Sequence, residues 1–177
     1  MIETAEMLNN QAVRLVADGN FSDAIACITR AITIESDNYL LWFNLGLTYR
    51  DSGNMKEARK SLVKAYELED EDESVIEMLA IVCHEMGDDE NAMGYCLEGL
   101  SKNNMNSHLF NTLGVINFHI QQYEVAAQNF ETAVIINPYY YDALVNLRDT
   151  YEELKNDNGF AECQMRIREI ESSGGNN

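Results

Sequence analysis

The chain has 177 residues, with 30 Asp or Glu against 12 Lys or Arg, and so a formal net charge of −18. That balance argues against nucleic acid as a partner, because a phosphate backbone is held mainly by basic side chains that release its counterions, and an anionic membrane surface would repel the chain for the same reason. With 46% apolar residues it can still build a core, yet no stretch approaches the ~20 consecutive apolar residues that span a bilayer.

The start, Met1-Ile2-Glu3-Thr4-Ala5-Glu6, lacks the basic and apolar regions of a secretory signal, so a cytoplasmic location without membrane insertion is expected. The four cysteines, Cys27, Cys83, Cys96 and Cys163, have no CxxC spacing and read as reduced thiols in a core. A single proline, Pro138, and abundant Ala, Leu, Glu and Met favour helix.

The first segment, about 5–38, places Ala12 and Leu15 on one helix, reaches Gly19, and continues into a second helix with Ala24 and Ala31. The second, 39–72, repeats the plan. Trp42, Leu45, Gly46 and Tyr49 have helical spacing, Gly53 ends the helix, and a partner from about Met55 to Leu68 sets Ala58, Leu62 and Ala65 on one face. The third, 73–106, follows with Leu79, Ala80, Cys83, Gly87, Ala92 and Gly99, and the fourth, 107–140, with Leu113, Gly114, Tyr123, Ala126, Phe130 and Ala133. There Gln121 takes the place of the glycine. The glycines and alanines recur every 34 residues, and small residues at fixed places let two helix axes approach while the large neighbour fills the remaining gap.

The fifth segment, 141–174, departs from the pattern. Arg148 stands where a small residue belongs and Phe160 where the alanine ladder should continue, which suggests either a different packing or a one-residue shift aligning Ala161. Phe160, Cys163, Ile167 and Ile170, opposed by Glu162, Arg166 and Glu169, suit a terminal cap. Residues 172–177 read as a flexible tail. Ser36, Asp70 and Asn104, standing where the fourth segment has Pro138, are expected to cap the helices that follow.

Trp42-x-x-Leu45-Gly46-x-x-Tyr49 followed by Ala58-x-x-x-Leu62, at a 34-residue period, resembles the signature of the tetratricopeptide-repeat family. Partial copies extend the resemblance over nearly the whole chain. It implies an all-α, right-handed α-solenoid of antiparallel helix pairs, one array over 1–171, whose first helices line a concave ligand groove.

In that family the variable groove residues occupy the second, fifth, sixth, ninth, twelfth and thirteenth places of each unit. The sixth place here holds Asn10, Asn44, Met78, Thr112 and Asn146. An asparagine amide both donates and accepts, so it can grip a peptide bond without reading its side chain. With Phe43, Leu47, Ile81, Asn111, Val115 and Phe118 around them, these residues outline an expected peptide-binding groove; the alternative is a merely polar exposed face. The thirteenth place holds Ala17, Asp51, Glu85, His119 and Glu153, an acidic edge at Asp51, Glu85 and Glu153. The expected function is therefore a protein-binding adaptor or scaffold taking a basic, partly apolar segment of another protein. The alternatives are a small chaperone, a self-assembling scaffold built on the apolar Met1, Ile2 and Leu8, a targeting module of a larger enzyme, and charge that serves solubility alone.

No catalytic residues are expected, since glycine-rich phosphate loops, HExxH and GxSxG are all missing. No cofactor is expected either. Cys83 beside His84 occupies a core place, His84, Glu85 and His119 make too small a set for a zinc site, and Glu69-Asp70-Glu71-Asp72-Glu73 lacks the glycine of a calcium loop. Family members that bind chaperone tails clamp a carboxylate with Lys, Asn and Arg, but the matching places from the first unit, Asn9, Val13, Asn44, Ser74 and Met78, supply no cation, and neither do those of later registers. The charge itself is localised: residues 65–101 hold 12 acidic residues and no Lys or Arg, whereas Lys56, Arg59, Lys60 and Lys64 gather on the second helix of the second unit.

Overall fold

The computed structural model describes residues 3–174, and the described residues form ten helices and no strand. Five first helices, α1 (Ala5–Ala17), α3 (Tyr39–Asp51), α5 (Glu73–Glu85), α7 (Ser107–His119) and α9 (Tyr141–Glu153), alternate with α2 (Phe21–Ile34), α4 (Met55–Leu68), α6 (Asp89–Lys102), α8 (Tyr123–Ile136) and α10 (Asp157–Gly174). Each set starts at intervals of 34 residues. The chain divides into two compact units, one carrying α1–α5 up to Asp88 and the other α6–α10 from Asp89 onward. Among the described residues no helix is long and apolar enough to cross a membrane.

One turn recurs five times. Gly19, Gly53 and Gly87 adopt φ of 74°, 80° and 77°, and Gln121 and Lys155 hold the same left-handed conformation at 62° and 54°. In each case the next residue's N–H reaches a carbonyl five residues back, as Asn54 does to Tyr49 at 2.8 Å and Asn156 to Tyr151 at 2.9 Å. This closes the last helical turn and satisfies carbonyls that would otherwise be orphaned.

The caps fall two residues later than the sequence suggests. Thr4, Asn38, Asp72 and Asn106 accept from first-turn amides, and Tyr140 holds the fifth cap place while its hydroxyl bonds His108 instead of the first-turn amides. Ser36, Asp70 and Asn104 lie in the connecting turns instead. The reason is register: Pro138 also lies two residues ahead of its cap, so residues replacing proline occupy the turn rather than the helix end.

The cores of the second and fourth pairs follow the small-on-large plan. A Cβ added to Gly46 would lie 2.6 Å from Leu62 Cγ, and one added to Gly114 would lie 2.4 Å from the Phe130 ring. In the first unit Leu8, Ala24, Ile28, Leu41 and Leu45 are buried together, and in the second Phe130, Leu144, Leu147, Cys163 and Ile167. Burial of each large member contributes about 1.5–3 kcal/mol.

The fifth pair solves the same problem one residue early. Arg148 prevents close approach at its own place, and Gly159 packs against Tyr151, where a Cβ would meet the ring at 2.6 Å. Cys163 and Ile167 are then buried while Ala161 is exposed, so the expected shift toward Ala161 runs in the opposite direction. The expected boundary at 171 also moves: α10 continues through Ser173, whose Oγ donates to Glu169 O, to Gly174. Residues 175–177 lie outside the described residues, as do Met1 and Ile2; Leu8 is 3% exposed and already in the core.

Candidate functional site

The first helices meet one another through pairs 35 residues apart. On α3, Asn44 donates from Nδ2 to Asn9 Oδ1 of α1 at 2.9 Å, and on α9 Asn146 donates to Asn111 Oδ1 of α7 at 3.0 Å. Both pairs are partly buried. A fifth place thus faces the sixth place of the next unit. Asn9 was not among the expected groove residues; Asn10, expected in its stead, is exposed on α1.

Each amide pair borders a crevice. In the first unit a pocket of about 140 Å³ is lined by Asn9, Val13, Val16, Ile28, Asn44 and Leu47, with Asp51 also at its wall. In the second unit a pocket of about 100 Å³ is lined by Val115, Phe118, Phe130, Asn146 and Asp149. Val13 matches Val115, Val16 matches Phe118, Ile28 matches Phe130 and Asn44 matches Asn146, all three periods apart. In each pair one asparagine spends a donor and the other an acceptor. The Asn44 Oδ1 and Asn9 Nδ2 atoms are not used in this bond.

Other expected groove residues lie outside these crevices. Phe43, Met78 and Ile81 are half-buried on α3 and α5, and by register Phe43 and Met78 hold the places of Asn9 and Asn44 one unit later. Thr112 is buried and donates to its own helix, to His108 O at 3.0 Å, so it extends no ladder.

The acidic edge is partly neutralised. Arg50 of α3 grips Glu85 of α5 through Nε at 2.9 Å and Nη2 at 2.6 Å, and the hydrogen bonds to Glu85 raise the guanidinium pKa above its ordinary value. Asp149 is held by its neighbour Arg148, whose Nε and Nη2 both donate to Oδ1, at 2.8 and 2.6 Å. Asp51 and Glu153 form no ion pair among the described residues and are exposed. The negative character expected of Asp51, Glu85 and Glu153 together therefore rests on the first and last. The Arg50–Glu85 pair joins a twelfth place to the next thirteenth, the same 35-residue offset as the asparagines, and that offset is the signal through which the sequence could have shown both.

Cys83 and Cys96 are buried completely, Cys163 is 3% exposed, Cys27 is half-buried, and none of the four is in a disulfide among the described residues. Burial pushes the Cys83 thiol up and the Cys163 thiol up to about 11, which keeps both protonated and inert at neutral pH. Glu85 is engaged by Arg50, and His119 Nδ1 lies 3.2 Å from Asp89.

Comparison with known proteins follows the geometry. The tetratricopeptide-repeat family model matches residues 9–74. A probable UDP-N-acetylglucosamine--peptide N-acetylglucosaminyltransferase SPINDLY from Hordeum vulgare is 27% identical over 140 residues, covering 75% of this chain; the match spans only 15% of that relative. Among solved structures, MamA 41-end from Desulfovibrio magneticus RS-1 superposes with a TM-score of 0.81 at 16% identity, over 98% of each chain. YrrB, a TPR protein with an unusual peptide-binding site, gives 0.68 at 20% identity over 94% of this chain and 86% of its own. Residues 9–74 are similar to tetratricopeptide repeats, and the described chain has the all-α fold of the tetratricopeptide-repeat structures.

Proposed function

We propose that this chain is a protein-interaction scaffold, one array of five repeats whose first-helix crevices take a segment of a partner protein that is extended, partly apolar and basic. The observation that carries this reading is the duplicated crevice: in each unit an asparagine pair offers one donor and one acceptor beside an apolar floor. The amides hold the ligand backbone and the floor takes an aliphatic side chain. Asp51 and Glu153 supply the charge that favours a basic segment. YrrB, whose fold this chain shares, is a peptide-binding TPR protein, which supports a peptide ligand. The transferase activity in the name of the barley relative is not carried over, since the chain matches a small part of that protein.

Anisotropy titration of a fluorescein-labelled peptide of alternating lysine and leucine tests the proposal. Saturable binding that falls at least tenfold in Asn44→Leu/Asn146→Leu, and that weakens in Asp51→Lys with a shallower salt dependence, is the expected result. Equal affinity in wild type and both variants rejects the crevice assignment.

A further inference from the structure

A second surface in the first unit has the opposite charge. Along α3 and α4 lies an open groove of about 450 Å³, floored by Trp42 and Val63 and lined by Lys56, Arg59, Lys60 and Lys64, with Glu67 at one end of its wall. Trp42 is fixed there by its indole N–H, which donates to Ser36 O at 2.9 Å and leaves the half-buried ring as a platform. Arg59 is turned to Asp88 at 2.9 Å. The rim lysines are held loosely: Lys60 reaches Glu57 at 3.7 Å, Lys64 reaches Glu67 at 2.9 Å, and Lys56 has no ion pair among the described residues. Such exposed pairs within one helix are weak and yield to a competing carboxylate.

We infer that this groove binds an extended acidic segment of a partner protein, with carboxylates at every second position and aliphatic side chains between them. Lys56, Lys60 and Lys64 are four residues apart on one helix, so their Cα atoms rise by about 6 Å each. Side chains on one face of an extended strand repeat at about 6.6 Å, which lets alternate carboxylates meet successive ammonium groups. The intervening side chains of the segment settle over Trp42 and Val63. A chain with net charge −18 can still present this site, because at physiological ionic strength charges more than about 8 Å apart are largely screened, and the potential at the groove is set by its own rim. A basic peptide belongs to the crevices of α1/α3 and α7/α9, so the two surfaces sort ligands by charge.

Trp42 is the only tryptophan, and its emission therefore reports the groove directly. The probe is a synthetic seven-residue peptide with glutamate at alternate positions and leucine or valine between, against a control with lysine replacing each glutamate. The inference expects a saturable change in Trp42 emission with the glutamate peptide only. It also expects affinity at least tenfold lower in 0.5 M NaCl and in Lys56→Glu/Lys60→Glu, whose melting by circular dichroism matches the wild type because both side chains face solvent. No change with the glutamate peptide, or a change of equal size with the lysine control, overturns it. Sedimentation of the protein alone supplies the remaining arm: a dimer abolished by the same charge reversal makes a second copy of this chain, through its own Glu69–Glu73 run, the occupant, and that overturns the partner segment.

Discussion

Asn146 donates through Nδ2 to Asn111 Oδ1 over 3.0 Å, and the two residues are 35 apart in a chain whose helices start every 34. The extra residue reflects how α9 sits against α7, and α3 against α1, one place out of phase. Because the pair is partly buried, Asn146→Ala leaves the Asn111 carbonyl unsatisfied, at a cost of about 0.5–1.5 kcal/mol. Urea denaturation of the single and double alanine variants at 111 and 146 should show a coupling of about 0.5–1 kcal/mol. Additive effects would mean the bond contributes nothing.

Gly114 has no room for a methyl group, since Phe130 stands 2.4 Å from where it would go. Gly114→Ala should therefore destabilise by about 1–3 kcal/mol. Adding Phe130→Leu relieves the collision, so the double variant should melt above the one predicted by summing the two single losses.

Gln121 and Lys155 occupy left-handed positions that the equivalent turns assign to glycine. A residue with a Cβ pays about 1–2 kcal/mol there. Gln121→Gly and Lys155→Gly should each raise stability, by about 0.5–1 kcal/mol once the greater unfolded freedom of glycine is subtracted. The same denaturation experiment should show the reverse sign for Gly53→Ala.

Alkaline pH should weaken the second unit. The Cys163 thiol titrates at about 11 in the folded chain against an ordinary 9, because burial opposes the thiolate. The unfolded chain then loses its proton first. The stability tied to this group is complete below pH 9 and is lost as pH rises toward 11. Cys163→Ala should flatten that part of the pH profile, whatever its effect on stability at pH 7, and thiolate absorbance near 240 nm should place the titration.

Arg50 spans α3 to α5 and masks Glu85. The pair is about one-third exposed, so Arg50→Gln should cost under about 1 kcal/mol. It releases a carboxylate beside Asp51, and the lysine–leucine peptide should bind several-fold more tightly at low salt. Unchanged affinity places the ligand away from this edge.

The repeating glycines and alanines were enough to locate the helices: a segment read as Met55–Leu68 is α4 with the same bounds. Periodicity places residues along one helix well, because the first and second helices each start every 34 residues. It says less about which side chains meet across helices. Asn9 and Asn44 fall in different columns of a 34-residue alignment, so their bond is invisible to a search down either column, and Arg50 with Glu85 is missed for the same reason. The caps at Asn38, Asp72 and Asn106 were hidden by a chemically suitable residue two positions earlier. In the fifth pair, Gly159 and Ala161 are both small, and only the position of Tyr151 decides between them.

The out-of-phase pairing also separates heredity of the fold from heredity of the site. Removing residues 39–72 deletes one whole period: α5 loses its cap Asp72 but gains Asn38 directly before Glu73, and the turns at Gly19 and Gly87 are kept. Yet Asn9 would then face the sixth place of α5, which is Met78 rather than an asparagine. Gain or loss of a complete repeat during descent can thus preserve architecture while erasing a crevice in one event, and two neighbouring repeats, rather than one, are the smallest unit by which this kind of site can be inherited.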